Sequence, residues 1–325
     1  MFDSKGPVAL VADIGGTNVR LALAGLGADD VIVTAFRQDF RADDYAGLAQ
    51  CVQAYLDSLG AAPRPDRGAF GVASPVAGDL VRLTNRDWSF SVSELGARFG
   101  LQPLKVVNDF VAVAYALAAI TPGDWRPLKG PAWPERLPQA VSLVGPGTGL
   151  GVGALAQGAS QMVVLASEGG HASFAPQDAL EVEILKVMLA RFPRVSNERL
   201  LSGPGMENLY AALAEVRGKS AVAPAAPAIV EAGLSGDDPL ARETLERFCL
   251  MLGSVMGDIA LVQGAGAVAI AGGIAPRLID FLDTAAVRAR FEAKGRAQGV
   301  MSRIPIALIT HPEPGLLGAA TLILP

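Results

Sequence analysis

The apolar positions of this chain fall into short runs that end at glycine or at polar residues. Residues 8–12 form the first run, which leads through Asp13 into a turn of small residues that ends near Thr17. A second apolar run, residues 19–24, follows at once. Short apolar runs separated by glycines are typical of two strands joined by a tight turn, so we predict a hairpin here.

A second copy of this pattern occurs later in the chain. Residues 140–144 and 150–155 are apolar, and Gly147-Thr148 between them corresponds to Gly16-Thr17 of the first turn. Each turn follows an apolar run and precedes another one of small apolar residues. The repetition predicts that the protein is built from two related halves.

The remaining apolar segments predict further strands and helices by their length and period. Residues 121–138 are rich in proline and charge and have no clear period, so we predict a linker or surface excursion there. An Ala/Pro-rich segment at residues 221–227 predicts a loop. The predicted strands are 69–73, 104–107, 267–271 and 304–309, and the predicted helices are 110–120, 181–190, 237–259 and 316–324.

Composition favours an α/β protein. Apolar residues make up 51% of the chain but aromatic residues only 6%, which suits aliphatic strands covered by helices on both faces. The net charge of −5, without a cluster of Lys and Arg, argues against a nucleic-acid partner. Cys51 and Cys249 lie far apart and, with only His171 and His311, supply too few ligands for a Cys/His zinc site, so we expect reduced core thiols.

No segment shows the pattern of a signal peptide or a membrane span. Residues 1–7 are polar and lack the basic and apolar regions of a signal peptide. The most apolar long window, residues 249–274, is interrupted by Asp258, Gln263 and several glycines. We therefore expect a soluble, cytoplasmic protein with no membrane partner.

The two glycine turns are candidate phosphate sites. Without Cβ atoms the backbone N–H groups of a turn can approach an anion closely, and Thr17 and Thr148 add hydroxyl donors. Asp13, at the base of the first turn, suits a hydrated Mg²⁺ rather than phosphate, because a carboxylate and a phosphate repel each other. One such turn is also typical of a hairpin without a ligand, but two copies and an aspartate favour phosphate binding.

Asn108-Asp109 follows a predicted strand, which is a usual position for functional residues in open α/β sheets. A carboxylate there can take the proton of an acceptor alcohol during phosphoryl transfer. The neighbouring amide can orient another hydroxyl of the same substrate. The pair is also a typical helix N-cap, and that role does not exclude catalysis.

Three further polar residues suit the recognition of a polyol, whose hydroxyls need several donors and acceptors at once. Glu168 and His171 flank two glycines in a loop, and Glu198 lies near the start of the next helix. Two of them have a structural alternative. The histidine can be a satisfied structural residue, and Glu198 can stabilise the positive end of a helix dipole.

Gly272-Gly273 is the last candidate site. It follows a buried predicted strand, and its lack of side chains can admit a flat adenine or ribose against the backbone. Taken alone, the pair is a common strand-to-helix turn. His311, which lies beside two prolines, is interpreted as structural.

Taken together and in order, these residues resemble the bacterial glucokinase family, within the fold shared by actin, hexokinase and the heat-shock chaperone ATPases. The match spans almost the whole chain, and its order and spacing argue against coincidence. The first turn alone is shared by many members of that fold. The matching motifs are Asp13-Ile14-Gly15-Gly16-Thr17-Asn18, Thr84-Asn85, Val107-Asn108-Asp109-Phe110, Gly147-Thr148-Gly149-Leu150-Gly151, Glu168-Gly169-Gly170-His171, Glu198-Arg199 with Leu201-Ser202-Gly203-Pro204-Gly205, Ala271-Gly272-Gly273-Ile274 and Pro314-Gly315-Leu316-Leu317-Gly318.

The resemblance implies a fold and an assembly. The fold is a two-domain, actin-like ATPase of the ribonuclease H type, an α/β fold with duplicated halves around a central cleft that holds ATP and glucose. The small domain is expected at residues 1–120 plus 311–325 and the large domain at residues 121–310. Members of the family commonly form homodimers, and we expect one here.

The resemblance also implies an activity, which is the ATP-dependent phosphorylation of D-glucose to glucose 6-phosphate at the entry to glycolysis. Asp109 is the expected general base on the 6-hydroxyl, and Asp13 is expected to hold the Mg²⁺ of Mg-ATP through water. The residues expected to bind the other sugar hydroxyls are Asn108, Glu168, His171, Glu198 and Asn85. Those expected to bind ATP are Ala12, Asp13, Ile14, Gly15, Gly16, Thr17, Gly147, Thr148 and Gly149 at the phosphates, and Gly272 and Gly273 at the adenosine.

Two alternatives stay open. The same residues suit a kinase for another hexose or an N-acetylhexosamine. These sugars differ from glucose in a single hydroxyl or acetamide group, which is recognised by the local geometry of the pocket. A sugar-responsive regulator would bind sugar without turning it over and would need a DNA-binding extension, which we do not expect ahead of the strand at residue 8. The zinc-binding cysteine cluster of the related repressor/ORF/kinase sugar kinases has no counterpart near His171, which argues against placing the chain among them.

Overall fold

The computed structural model describes residues 6–158, 162–219 and 222–324. They divide into two compact units, of which unit 1 takes its residues from Met1–Thr121 and His311–Pro325, and unit 2 from Pro122–Thr310. The ends of the expected small domain, residues 1–5 and residue 325, lie outside the described residues. The first residue of the loop predicted at 221–227 does so as well.

Unit 1 is built on a five-stranded sheet. Its strands are β1 (Ala9–Ile14), β2 (Asn18–Leu26), β3 (Ile32–Arg41), β4 (Arg67–Val72), β5 (Leu80–Arg82), β6 (Ser89–Ser91) and β7 (Leu104–Asn108), and its helices are α1 (Leu48–Ser58), α2 (Val92–Phe99), α3 (Asp109–Ala116) and α11 (Pro314–Ile323). The sheet has the order β3-β2-β1-β4-β7, and β5 and β6 form a separate hairpin. Strands β1, β2 and β3 are antiparallel neighbours, whereas β1, β4 and β7 run parallel.

Strand β1 is apolar at consecutive positions because it lies in the middle of the sheet and both of its faces are covered. Leu10 on one face belongs to a buried cluster with Tyr55 of α1. Val11 on the other face packs in a second cluster with Leu316 and Ala320 of α11. The central strand that carries the first glycine turn is therefore held between two helical layers.

Unit 2 is built on a six-stranded sheet. Its strands are β8 (Trp125–Pro127), β9 (Ala140–Pro146), β10 (Leu150–Gln157), β11 (Met162–Ser167), β12 (Ala267–Ile270) and β13 (Ile306–Ile309), and its helices are α4 (Ala179–Arg191), α5 (Gly203–Val216), α6 (Ala226–Ser235), α7 (Pro239–Gln263), α8 (Ile279–Leu282), α9 (Ala285–Glu292) and α10 (Gln298–Met301). The sheet order is β11-β10-β9-β12-β13-β8. Within the described residues, no helix combines the length and the apolar character that crossing a membrane requires.

The two sheets repeat one topology. Without the short edge strand β8, the first strand of each sheet (β1 or β9) lies at the centre between an antiparallel second strand and a parallel fourth one, and the third and fifth strands follow outward. Both glycine turns join this first strand to the second. The prediction of two related halves, made from the repeated turn, is thereby confirmed.

Two predicted segments need correction, and several elements were not predicted. The excursion predicted at residues 121–138 contains β8, which pairs with β13 and adds an edge strand to the sheet of unit 2. The segment predicted as a loop at 221–227 already enters a helix at its end, since α6 begins at Ala226. The edge strands β3 and β11 and the helix α5 lie in segments for which no element was predicted.

Candidate active site

The first glycine turn is held on several sides within unit 1. It follows Ile14, and the Gly15 N–H donates to the Asn18 carbonyl at 2.9 Å, which closes the turn. The carbonyl oxygen of Thr17 accepts from the Ala42 N–H at 2.9 Å. The carbonyl oxygen of Gly16 accepts from Arg86 Nη1 at 2.9 Å. A turn whose carbonyls are bound in this way has a defined backbone before any ligand arrives.

Asp13, at the end of β1, lies beside this turn and is paired with a cation. Arg20 Nη1 donates to Asp13 Oδ2 at 2.7 Å, and the same guanidinium lies 4.0 Å from Glu313 Oε2 at the start of α11. A Cβ on Gly315 would lie 3.3 Å from the Asp13 carboxyl carbon, so this helix approaches the carboxylate closely. The side chain of Asp13 is 25% exposed and remains accessible to solvent.

Asn108 and Asp109 lie at the carboxyl end of β7, in register with the end of β4. The Asn108 side chain caps α3 by accepting from the Phe110 N–H at 3.0 Å, as the N-cap interpretation predicted. Its Nδ2 donates to the Ser74 carbonyl at 3.4 Å. The same Phe110 N–H donates to Asp109 Oδ1 at 2.8 Å, so both side chains have a fixed orientation.

The Asp109 carboxyl is an unusually weak acid. Burial raises its pKa to about 6, the N–H of Phe110 opposes this shift, and the negative charge of Asp13 adds to it. A carboxylate with a pKa near the working pH is well suited to general-base catalysis, because it is mostly ionised at neutral pH and still binds a proton strongly.

This pKa predicts the pH dependence of catalysis. If Asp109 is the base, it must be deprotonated, so kcat/KM for the acceptor rises with pH through about 6 and levels off above it. The measurement is a profile of kcat/KM against pH at saturating nucleotide. An acidic limb with its midpoint near the ordinary aspartate value of about 4 would contradict the raised pKa.

Asn85 lies against the first glycine turn. A Cβ on Gly16 would come within 3.2 Å of Asn85 Cβ. Its neighbour Thr84 is bound to Ser74, with the backbone N–H 2.7 Å from Ser74 Oγ, and the Ser74 carbonyl accepts from Asn108. The Thr84-Asn85 pair therefore connects the glycine turn with the end of β7.

In unit 2 the second glycine turn is closed in a similar way. The Gly147 N–H donates to the Gly149 carbonyl at 2.8 Å, and the Gly147 carbonyl accepts from the Gly203 N–H at the start of α5, also at 2.8 Å. Glu198 Oε2 accepts from the Leu150 N–H at 2.9 Å. Glu198 thus has a role beyond that of a first-turn acid, since its carboxylate binds the end of the turn.

The structure brings Glu168, His171 and Glu198 together. His171 Nε2 lies 3.8 Å from Glu168 Oε2, and its Nδ1 lies 3.9 Å from Glu198 Oε1. Both distances exceed that of a hydrogen bond, so these groups keep donors and acceptors for a ligand. Gly170 between them must be glycine, because a Cβ there would lie 2.1 Å from the Leu150 carbonyl oxygen.

A cavity of about 300 Å³ opens next to the second turn in unit 2. Gly147, Thr148 and Gly273 line it as the sequence predicted, whereas Gly149 and Gly272 are not among its lining residues. Gly272 shapes it indirectly, since its φ of +85° and the 2.4 Å from its would-be Cβ to the Pro146 carbonyl both require glycine. The other lining residues, which the sequence did not predict as ligand-binding residues, are Gly203, Pro204, Met206, Glu207, Ala226, Pro227, Val230, Ile274 and Arg277.

The remaining sequence candidates have structural roles. His311 Nδ1 accepts from the Glu313 N–H at 3.1 Å and fixes the turn before α11, as interpreted. Cys51 and Cys249 are buried free thiols. Burial raises the pKa of Cys51 to about 11 and raises that of Cys249 further, so both stay protonated at neutral pH.

Comparison with known proteins decides the family. A family model described as Glucokinase matches residues 10–324. The chain belongs to the glucokinase family. The glucokinase of Aromatoleum aromaticum is 44% identical to it over 315 residues, which cover 97% of this chain and 94% of that protein.

Solved structures agree with the glucokinase family assignment. The crystal structure of glucokinase from an Antarctic psychrotroph is 36% identical, with a TM-score of 0.89 and coverage of 97% of this chain and 98% of that one. A ROK family glucokinase from Streptomyces griseus, in complex with glucose and AMPPNP, has a TM-score of 0.64 over 97% and 98% of the chains at 19% identity, which shows the fold alone. The resemblance, the two-unit α/β fold and the class of enzyme, a hexose kinase, are confirmed.

Proposed function

We propose that this protein transfers the γ-phosphoryl group of ATP to the 6-hydroxyl of D-glucose, giving glucose 6-phosphate and ADP. The observation that carries the proposal is the partly buried Asp109 carboxyl with its pKa near 6, in the unit that also contains the first glycine turn. A base of this strength is what an alcohol acceptor needs as its oxygen bonds to phosphorus.

In the proposed reaction, the glucose 6-oxygen attacks the γ-phosphorus while its proton passes to an Asp109 carboxylate oxygen. The bond from the γ-phosphorus to the oxygen bridging to the β-phosphate breaks, and ADP leaves with that oxygen. Atoms and charge balance, since Asp109 later releases the proton to water. The proposed sugar-binding residues are Asn108, Glu168, His171, Glu198 and Asn85.

The nucleotide is proposed to bind along the two glycine turns. Residues 12–17 and 147–149 would receive its phosphates, and Gly272-Gly273 would lie against the adenosine. The cavity in unit 2 has a volume suited to a nucleoside and is lined by the starts of α5 and α6. Gly147 and Gly273 leave open space at this cavity, since no atom of the described residues would lie within 4 Å of a Cβ on either one.

Magnesium is proposed to accompany ATP. No group of three or more His, Cys, Asp or Glu side chains in the described part of the chain could hold a metal ion, which fits an ion bound mainly by phosphate and water. Asp13 would hold that water shell, and its partly exposed carboxylate is suited to this. When bound, Mg²⁺ neutralises charge that develops on the transferred phosphoryl group.

Glu168→Gln tests the sugar contacts. Loss of the charge weakens hydrogen bonds to sugar hydroxyls, so we expect KM for glucose to rise about tenfold with little change in kcat. Initial rates over a range of glucose concentrations measure both constants. Glu183→Gln on α4, where the carboxylate pairs with Lys186, is the control and is expected to behave as wild type. An unchanged KM in Glu168→Gln would remove Glu168 from the proposed site.

The cellular context is proposed on the basis of family membership. The enzyme would act in the cytoplasm at the entry to glycolysis and would work as a homodimer. Light scattering coupled to size-exclusion chromatography measures the mass in solution, and a mass of one chain would exclude the dimer at the concentration used.

The test of the function is ADP release with Mg-ATP across glucose, mannose, fructose, N-acetylglucosamine and N-acetylmannosamine. We expect strong turnover with glucose. Preferred turnover of another sugar would support the proposed phosphoryl transfer but show that glucose is not the main substrate. Sugar binding without turnover of any of the five would overturn the proposed activity and favour a sugar-responsive regulator.

A further inference from the structure

Arg86 in unit 1 lies directly against the first glycine turn and makes three contacts at once. Its Nη1 donates to the Gly16 carbonyl at 2.9 Å, and its Nη2 donates to Asp43 Oδ1 at 2.8 Å. Its guanidinium carbon lies 4.4 Å from the centre of the Trp88 ring. The Arg86 side chain is only 14% exposed, so this guanidinium is held in one place.

The hydrogen bond from Arg86 fixes the direction of one peptide group. In a planar trans peptide, the C=O of one residue and the N–H of the next point in opposite directions. Because the Gly16 carbonyl points towards Arg86, the Thr17 N–H points away from Arg86. Backbone N–H groups in a defined direction are what a glycine turn offers to a phosphate.

The backbone angles at Gly16 restrict the direction of the Gly16-Thr17 peptide group only weakly. Glycine has a wider range of backbone angles than any other residue. Its neighbours are anchored elsewhere, since the Gly15 N–H donates to Asn18 and the Thr17 carbonyl accepts from Ala42. Without the Arg86 contact, the Gly16-Thr17 peptide can rotate and turn a carbonyl oxygen, rather than an N–H, towards an anion.

The ion pair with Asp43 does not by itself explain why Arg86 is held so firmly. Asp43 is 65% exposed, and exposed ion pairs contribute little to stability. Trp88, by contrast, is buried and fixes the plane of the guanidinium from one side. Asp43 and Trp88 therefore act as supports that direct Arg86 at the Gly16 carbonyl.

We propose that Arg86 is a positioning residue for the nucleotide phosphates, which holds the Gly16-Thr17 peptide with its N–H directed at them. Arg86 acts through the turn, and the guanidinium itself need not touch the ligand. The proposal rests on the proposed function, because it takes the first turn as a phosphate-binding element.

The test compares Arg86→Ala and Arg86→Lys with Arg64→Ala. Arg64 is the matched control, because its Nη1 also donates to a backbone carbonyl of unit 1, that of Leu56, away from the turn. Calorimetry measures the Kd of Mg-AMPPNP, initial rates give KM for ATP and for glucose, and thermal unfolding gives Tm.

We expect Arg86→Ala to raise the Kd of Mg-AMPPNP and KM for ATP about tenfold, the effect of losing one hydrogen bond from a charged donor. KM for glucose rises less than KM for ATP, because only Asn85 among the proposed sugar residues is a chain neighbour of Arg86. Arg86→Lys raises the same two constants by less, since an ammonium can still donate to Gly16 but cannot reproduce the planar fork that also binds Asp43. Arg64→Ala binds Mg-AMPPNP as wild type does.

An unchanged Kd in both Arg86 variants, or an equal rise in Arg64→Ala, would overturn the proposal. So would equal rises in KM for ATP and for glucose, which indicate a general loss of structure. If Arg86→Ala does not fold, Arg86→Lys decides by the same criteria. A wild-type protein that binds Mg-AMPPNP but phosphorylates no glucose would overturn the proposed function alone, because nucleotide binding tests Arg86 without a sugar.

Discussion

Replacing Asp109 by asparagine is expected to lower kcat by about 10²–10⁴-fold, the usual cost of losing a general base. An amide cannot take the proton of the 6-hydroxyl. It does keep a side-chain oxygen that accepts from the Phe110 N–H, and Asn108 still caps α3, so the local fold is preserved. Initial rates at saturating ATP and glucose measure the loss, and calorimetry shows whether glucose still binds.

The control for this substitution is Asp57→Asn. Asp57 is an exposed aspartate on α1 of the same unit, and its carboxylate accepts from Gln53 on the same helix. We expect wild-type kcat and Tm for it. A kcat close to wild type in Asp109→Asn would exclude Asp109 as the base, whereas loss of glucose binding together with kcat would assign it to binding instead.

The second large effect is expected from Gly318→Ala, which should destabilise unit 1 by at least about 1–3 kcal/mol. Gly318 lies in α11 where its backbone meets α3, and a Cβ there would be 1.7 Å from the Ala112 carbonyl oxygen. That atom belongs to the backbone of a helix and cannot move aside as a flexible side chain would. The two helices must separate, which opens the core between them. Thermal unfolding measures the fall in Tm.

Gly299→Ala is the matched substitution in a helix with free space. Gly299 lies in α10, and no atom of the described residues would come within 4 Å of its new Cβ. Alanine is the better helix former by about 1 kcal/mol, so we expect an unchanged or slightly raised Tm. Equal Tm values for Gly318→Ala and wild type would show that α11 and α3 do not need the close contact.

The sequence predicted the central strands and the edge strand β7 well but missed the other three edge strands, β3, β8 and β11, for a physical reason. A central strand such as β1 is buried on both faces and so forms a continuous apolar run. Strand β3 lies at a sheet edge, and although it begins with the apolar Ile32-Val33, its second half carries Arg37 and Asp39 on exposed positions. Strand β8 has only three residues, and its pairing with β13 makes it a strand.

The residues of the candidate site also differ in how well the sequence predicts them. Some parts of the site are formed by residues that are contiguous in sequence, so the sequence predicts them directly. They are the glycine turns, Asn108-Asp109 and the segment from Glu168 to His171. The walls of the cavity come from the starts of α5 and α6 and from the segment after β12, which only packing brings together. The contact of Arg86 with Gly16 likewise joins residues far apart in sequence, and no local sequence pattern predicts it.

The order of the units along the chain has a consequence for biosynthesis. Helix α11 covers one face of the unit 1 sheet, where Val11 is buried against it, yet it is translated only after all of unit 2. Since domains generally fold as they emerge from the ribosome, the amino-terminal sheet has to wait with this apolar face only partly covered, by α3 next to Gly71. Unit 2 is contiguous and can form meanwhile. The last helix to be synthesised thus completes the first unit to be started, and a ribosome that stalls before α11 leaves a nascent chain with an exposed, aggregation-prone sheet.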